Sequence, residues 1–551
     1  MKKTKLFWVI TLFILAGCNL PSRTATPKPV EMISPTGTVT EITPAPLVTF
    51  TAVPTEEAPL AVWVDPAVPA GITDLILMPD GAFFTADEAA ADVQLSLTQS
   101  GPIERVYAVV APFSTITDSV TLEDLQSTWR GESSGYFAGR AIWMTEETAR
   151  LLTAAWRDPG ENAVALAPIE DLIGQAWNTQ PAWAVVPFDT LSPRWKVLSV
   201  DGQNPLDRSM DINTYPLTLR FGLTGSPEKM AKFGYRTDLS LTNRDMNQMS
   251  TVAMTGVTAL TRTVGLYMDL NGVIFPVENV IGLLSSADIT HISNEVSFME
   301  GCKAGEMPVS TMKFCSNPEY IEALSLIGAD VIELTGNHLN DYGRSAFVYT
   351  LDRYDQMGLR YFGGGRTKQD AQKPLLMEDH GNKVAFIGCN YAGPYNDWAT
   401  ETLAGSATCD IPWIKEQIAN LKSQGYLVIM TFQYYESYQV KPGLSQKTTF
   451  EEMSDAGADI VNGSQAHLPQ TYEIRNNRLI HFGLGNLFFD QMDVPVVGTR
   501  RLFIDLHTFY QGRYISTQVK TLYFEDWGRP RFMTEDERSA FLEEIFSKSV
   551  W

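Results

Sequence analysis

Between residues 251 and 482, short apolar runs recur at spacings that leave room for a helix between most neighbours, and this alternation constrains the fold more than any other feature of the chain. The runs are at 251–255, 289–292, 329–334, 383–388, 427–431, 458–461 and 478–482, with helical stretches at 345–357 and 411–423 among the intervening segments. Strands alternating with helices are the pattern of a layered α/β domain. The domain is therefore expected to be layered α/β, with its chemistry on the loops at the strand ends.

Polar residues gather at those strand ends. Glu295 lies in SNEVS at 293–297, and Asn337, His338 and Asp341 lie in LTGNHLNDYG at 334–343. YFGGG at 361–365 reads as a turn near the site, because no Gly-Lys-Ser/Thr follows it as a phosphate loop would require. FQYYESY at 432–438, DAGADIVNGSQAH at 455–467 and FGLGNLFFD at 482–490 complete the set.

A chain of 551 residues exceeds one ordinary core. Ahead of the layered domain, apolar runs at 60–64, 91–97, 106–113 and 183–189 predict a first α/β unit, with a helix opening at Thr121 and closing around Trp129. The division expected is 60–235 for this unit, 250–530 for the second and 531–551 for a closing helix. Asp and Glu number 64 against 42 Lys and Arg, a balance that offers no basic stripe to release counterions from phosphates and argues against a nucleic-acid partner.

The N-terminus sets Lys2, Lys3 and Lys5 before a short apolar run, as a secretory signal does. The following Ala16-Gly17-Cys18 resembles the bacterial lipobox, which implies a signal peptide at 1–17, lipidation of Cys18 and anchoring to the outer face of the cell membrane without a spanning helix. Residues 18–59, rich in Thr and Pro, read as an extended tether. Export favours disulfides among Cys302, Cys315, Cys389 and Cys409. Three connectivities are possible, and proximity suggests Cys302 with Cys315 and Cys389 with Cys409.

Residues 60–225, through the segment 107–131 and Trp183-Ala-Val-Val-Pro-Phe-Asp189, resemble the type 2 periplasmic solute-binding fold. Ser114, Thr115 and Arg140 are polar candidates for a cleft there, and a spacer role is the alternative. The six strand-end motifs resemble, in order and spacing, the CapA-like poly-γ-glutamate capsule synthesis family. That resemblance implies a four-layer metallophosphoesterase-like α/β sandwich following the smaller solute-binding-like α/β domain.

The family pattern also implies a two-metal ligand array, and this sequence departs from it at three positions. Val257 stands where an Asp belongs, Gln433 where a His precedes the aromatic pair, and Gln465 at the first His of Gly-Ser-His-x-His. Val cannot ligate, and an amide is a weak ligand. What remains leaves one divalent metal ion, on Glu295, Asn337 and His467, or none. His338 reads either as a general acid or anion-binding imidazole, or as a histidine hydrogen-bonded beneath the strand ends. Glu295 and Glu436 are candidates for a metal-free acid–base pair.

Asn337, Arg262, Tyr435 and Asn486 are the substrate-binding candidates, and Tyr434 with Tyr435 would line a polymer groove. Asp341 is expected to act like an N-cap before the helix that follows Gly343, while His291, His380, His481 and His507 are expected in core or surface roles. By resemblance the partner is a cell-surface anionic polymer or another envelope ligand. For a polyanion, Arg262, Arg344, Arg366, Arg500 and Arg501 would have to cluster. The resemblance implies a hydrolase or transferase acting in capsule or poly-γ-glutamate-type polymer synthesis, processing or anchoring. The alternative is a non-catalytic binding or scaffold protein on a degenerate phosphoesterase fold.

Overall fold

The computed structural model describes residues 58–551 except Ser133, so the expected signal peptide, Cys18 and nearly all of the tether lie outside the described residues. Two large sheets in the second half stack face to face. In the first, the order is Arg360–Phe362, Val331–Glu333, Ile289–Asn294, Met249–Thr255, Arg501–Tyr510, Arg513–Asp526 and Arg529–Phe532. In the second it is Leu375–Asp379, Asn382–Asn390, Leu427–Ser437, Ile460–Ala466, Arg478–His481 and Tyr472–Arg475.

Alternation along single strands shows how the layers are built. Val252, Met254, Ile289 and Val331 face one core, which they share with Val384, Phe386, Leu427 and Ile429 of the other sheet. Their neighbours Ala253, Ile292 and Ile332 face the opposite way, into a core with Phe347 and Leu351 of the helix Arg344–Met357. On the second sheet Ala385, Val428 and Met430 meet Ile414 and Ile418 of the helix Ile411–Ser423. The order helix, sheet, sheet, helix is the four-layer α/β sandwich that the motifs implied. The strands joined through helices pair in parallel, and their C-terminal ends meet on one edge.

The first half is built on a curled mixed sheet whose path runs Phe83–Thr85, Ala61–Val64, Val93–Thr98, Thr218–Gly225, Ile103–Pro112, Trp183–Pro187, Ile142–Met144 and Val164–Leu166. Thr121 caps the helix Leu122–Trp129 in a reciprocal capping box with Asp124. The two halves share apolar packing: Met249, Tyr510 and Ile515 enter the first core, and Phe113 enters the sheet-to-sheet core. Arg538 of the closing helix Glu535–Phe546 pairs with Asp118 at 2.7 Å. Both disulfides join the cysteines that proximity suggested, Cys302 with Cys315 and Cys389 with Cys409. Among the described residues no helix is long and apolar enough to cross a membrane.

Candidate functional site

Glycines bring the strand ends close enough to form one site. A Cβ on Gly336 would stand 2.6 Å from the Glu295 backbone, so only glycine lets the Asn337-His338 turn lie against Glu295. Gly256 is pressed in the same way against the Gly485 carbonyl. The result is a pocket of about 450 Å³ that brings together Glu295, Asn337, His338, Glu436, Gln465, His467 and Arg262. A larger pocket of about 580 Å³ lies in the first half, beside Glu146, Glu147 and Glu170, and Ser114, Thr115 and Arg140 are not among its lining residues.

At the pocket floor three oxygens converge on one nitrogen. The two N–H groups of Gln433 Nε2 are shared among three acceptors, Asn337 Oδ1 at 3.0 Å, Glu295 Oε1 at 3.3 Å and Gln465 Oε1. Gln465 holds this position with φ of 71°, a left-handed backbone that a non-glycine residue adopts at a cost of about 1 kcal/mol or more. Glu295 Oε2 is buried without a hydrogen-bond partner.

The two histidines are oriented from behind. His467 Nδ1 lies 2.7 Å from Asn486 Oδ1, and the Asn486 amide nitrogen donates to His467 O and Gln491 Oε1. Asn486 Oδ1 is therefore the acceptor and His467 Nδ1 the donor, which leaves Nε2 as the ring nitrogen free to face the pocket. His338 Nδ1 lies 2.7 Å from Asp341 Oδ2, which also accepts from Phe314 N at 2.7 Å. Burial opposes the His338 imidazolium, but the Asp341 hydrogen bond and the charges of Glu295, Asp341 and Asp397 outweigh it and raise its pKa above the ordinary value. Asp397 itself is pushed up to about 7 by burial.

Several expectations change at this level. Asp341 does not cap a helix: Gly343 occupies the N-cap position without a side-chain bond, and Asp341 ties His338 to the 303–314 loop. Glu295 and Glu436 are not hydrogen-bonded as a pair; Glu436 is exposed and accepts from the Tyr438 hydroxyl. Tyr435 is exposed and packs edge-on against Tyr391 and Tyr434, while Tyr438 lines the pocket instead.

Arg262 does reach the pocket, with φ of 49°, but Asp490 binds it at two points, Nε to Oδ2 being 3.0 Å. Its guanidinium lies over Phe314 at 4.5 Å and Phe489 at 5.4 Å. The other arginines do not gather around it. Arg344 and Arg500 bind backbone carbonyls, Arg366 binds Asp352 and Asp355, and Arg501 binds Glu544. His291 pairs with Glu333 and His481 with Asp505 in the buried sheets, and His507 is buried beside Thr517. His380 contacts Asp379.

Asp490, Phe314, Tyr438, Gln491 and Asp397 were not singled out from the sequence as site residues. Asp490 closes FGLGNLFFD, so its motif was visible but its partner 228 residues away was not.

These residues do not fit a two-metal centre. Val257 is buried with Ala259, Val296, Phe314 and Phe489, an apolar cluster in the place of a ligand. The Gln433 amide draws on the oxygens of Glu295, Asn337 and Gln465 together. Among the described residues, the His, Cys, Asp and Glu groups of three whose ligand atoms lie within 4.8 Å of one another reduce to Asp288, Asp379 and His380, outside this pocket. Arg208 already binds that trio, through His380 at 2.9 Å and Asp288 at 3.2 Å.

Residues 251–491 match the family model described as bacterial capsule synthesis protein PGA_cap, and all six strand-end motifs lie within that span. The chain is 26% identical over 250 residues to the capsule biosynthesis protein CapA of Bacillus anthracis, covering 44% of this chain and 61% of that one. It is 25% identical over 202 residues to the PGA biosynthesis protein CapA of Bacillus subtilis (strain 168), covering 36% and 52%. It thus spans about half to three-fifths of the length of these curated relatives. Among solved structures, a 5'-nucleotidase precursor from Thermus thermophilus aligns with TM-score 0.30 at 10% identity, over 54% of this chain and 58% of that one. An ABC-type phosphate transport receptor from Vibrio cholerae aligns with TM-score 0.22 at 12% identity, over 28% and 70%.

Proposed function

We propose that this chain, with its PGA_cap domain at residues 251–491, is an exported, lipid-anchored accessory protein of capsule or poly-γ-glutamate-type polymer synthesis, processing or anchoring, and that its pocket binds ligand without two-metal hydrolysis. The observation that carries this reading is the Gln433 amide, whose two N–H groups point into the oxygens of Glu295, Asn337 and Gln465. An amide nitrogen there occupies the space among oxygens that would otherwise be free to hold a divalent cation, and Val257 supplies packing where a carboxylate would supply a ligand. The lipobox-like Ala16-Gly17-Cys18 and the two disulfides support export and anchoring.

What the pocket retains is a set of oriented hydrogen-bonding groups. Asn486 fixes the ring of His467, and Asp341 fixes the ring of His338, so each presents one defined nitrogen. The test is incubation with γ-glutamyl oligomers and a model phosphoester, with and without Mn²⁺ and Zn²⁺. Saturable binding of the oligomer without metal-dependent release of product is expected. Metal-dependent turnover abolished by His467→Ala would overturn the reading.

A further inference from the structure

We infer that the pocket recognises a primary ammonium group, such as the free amino terminus of a γ-linked glutamate chain, and not the carboxylates along such a chain. This inference rests on the metal-free binding role proposed above.

The electrostatic inventory of the pocket points that way. Its two basic side chains are both held by carboxylates: Arg262 is bound at two points by Asp490, and His338, whose pKa is raised, is paired through Nδ1 with Asp341 at 2.7 Å. Of the remaining carboxylates, Glu436 stands exposed near the rim and Glu295 lines the floor. Glu295 is only 2% exposed, and its Oε2 has no partner in the protein. A buried carboxylate oxygen left without a donor costs free energy unless a bound group supplies one. The Gln433 amide serves only the other oxygen of that carboxyl.

In the same pocket, Asn486 holds the His467 proton on Nδ1, so a neutral ring offers Nε2 as an acceptor. An ammonium carries three donors and no acceptor, which matches a floor of unclaimed acceptors. Aromatic groups suit the same ligand: Tyr438 and Trp527 line the wall, and Phe314 and Phe489 already carry one cation, Arg262. The formal net charge of −22 opposes approach of a polyanion's body and leaves its cationic end as the part the protein attracts.

The experiment is calorimetric titration of the full chain with three probes: tri-γ-glutamate with a free amino terminus, its N-acetylated counterpart, and MnCl₂ alone. The free-amine probe is expected to bind saturably. The acetylated probe should bind about tenfold more weakly or worse, and Glu295→Gln should bring the free-amine probe down to the same level. If Glu295→Gln fails to fold, the two peptide probes on the unsubstituted protein decide the question. Equal binding of both probes would overturn the ammonium inference and leave the binding role standing, and no binding of either would overturn the inference as well. Stoichiometric Mn²⁺ binding lost in Glu295→Gln would assign the carboxylate to a metal and overturn both.

Discussion

Replacing Arg262 with Met separates two accounts of the one arginine in the pocket. Its side chain and that of Asp490 are 7% and 2% exposed, and the guanidinium also donates to the carbonyls of Val309 at 3.2 Å and Thr311 at 3.4 Å. Met keeps most of the apolar stem but leaves Asp490 with the backbone N–H of Thr263, at 3.3 Å, as its remaining donor. Breaking a buried ion pair from one side leaves an uncompensated charge and costs about 3–5 kcal/mol. Urea unfolding followed by tryptophan fluorescence reads that loss. The double variant Arg262→Met with Asp490→Asn should cost less than the sum of the two single changes by about 1–3 kcal/mol, because the neutral amide no longer needs a cation. A loss below about 0.5 kcal/mol for Arg262→Met would place the arginine among freely solvated residues and return it to the list of polymer-binding cations.

Two further outcomes follow from the surroundings of the pocket. Asp397 is fully buried, and the rise of its pKa from 3.8 to about 7 means that the fold prefers the protonated acid; its contribution is present below pH 3.8 and is lost as pH rises to about 7, by about 4 kcal/mol at most. Asp397→Asn keeps an oxygen for the Asn340 N–H, bonded at 2.8 Å, so its melting temperature should exceed the parent's at pH 8 and converge on it at pH 4; an equal gap at both pH values would refute the assignment. Converting Cys302 and Cys315 to Ser opens a loop closed over 13 residues, at a cost of about 3 kcal/mol, and frees the segment that sets Phe314 against His338 at 4.2 Å between ring centres. Oligomer affinity should fall together with stability, and an unchanged affinity would remove the 303–314 loop from the site.

The layered architecture was legible because parallel strands covered on both faces leave continuous apolar runs. Val331–Glu333 and Ile460–Ala466 fall within or overlap runs seen in the sequence. Leu427–Ser437 extends past its apolar run through Gln433 and Tyr435, since pairing with the neighbouring strand continues beyond the point where composition changes. The long antiparallel pair Arg501–Tyr510 and Arg513–Asp526 was not read. The first of these is buried at every position but Arg501, including Asp505 and His507, so it shows neither polar alternation nor an uninterrupted apolar run.

In the site, motif order placed Glu295, Asn337, His338, Gln433, Gln465 and His467 together, because strand ends on one edge of a parallel sheet must converge. What local sequence did not carry were partners brought in by tertiary packing. Asp341 looks like a cap by its distance from Gly343, yet it is claimed by Phe314 of a loop that reaches across from another strand end. Tyr435 and Tyr438 are equally aromatic in sequence, and only the path of the chain beyond Gln433 decides which of them meets the pocket.

The central claim is that an amide has taken the place of a cation among Glu295, Asn337 and Gln465. It is tested most directly by metal content: the full chain is incubated with Mn²⁺, Zn²⁺, Mg²⁺ and Ca²⁺, desalted and measured by mass spectrometry beside His467→Ala. The account predicts that no stoichiometric metal stays bound to either protein. One or two equivalents retained by the parent and lost in His467→Ala would contradict it.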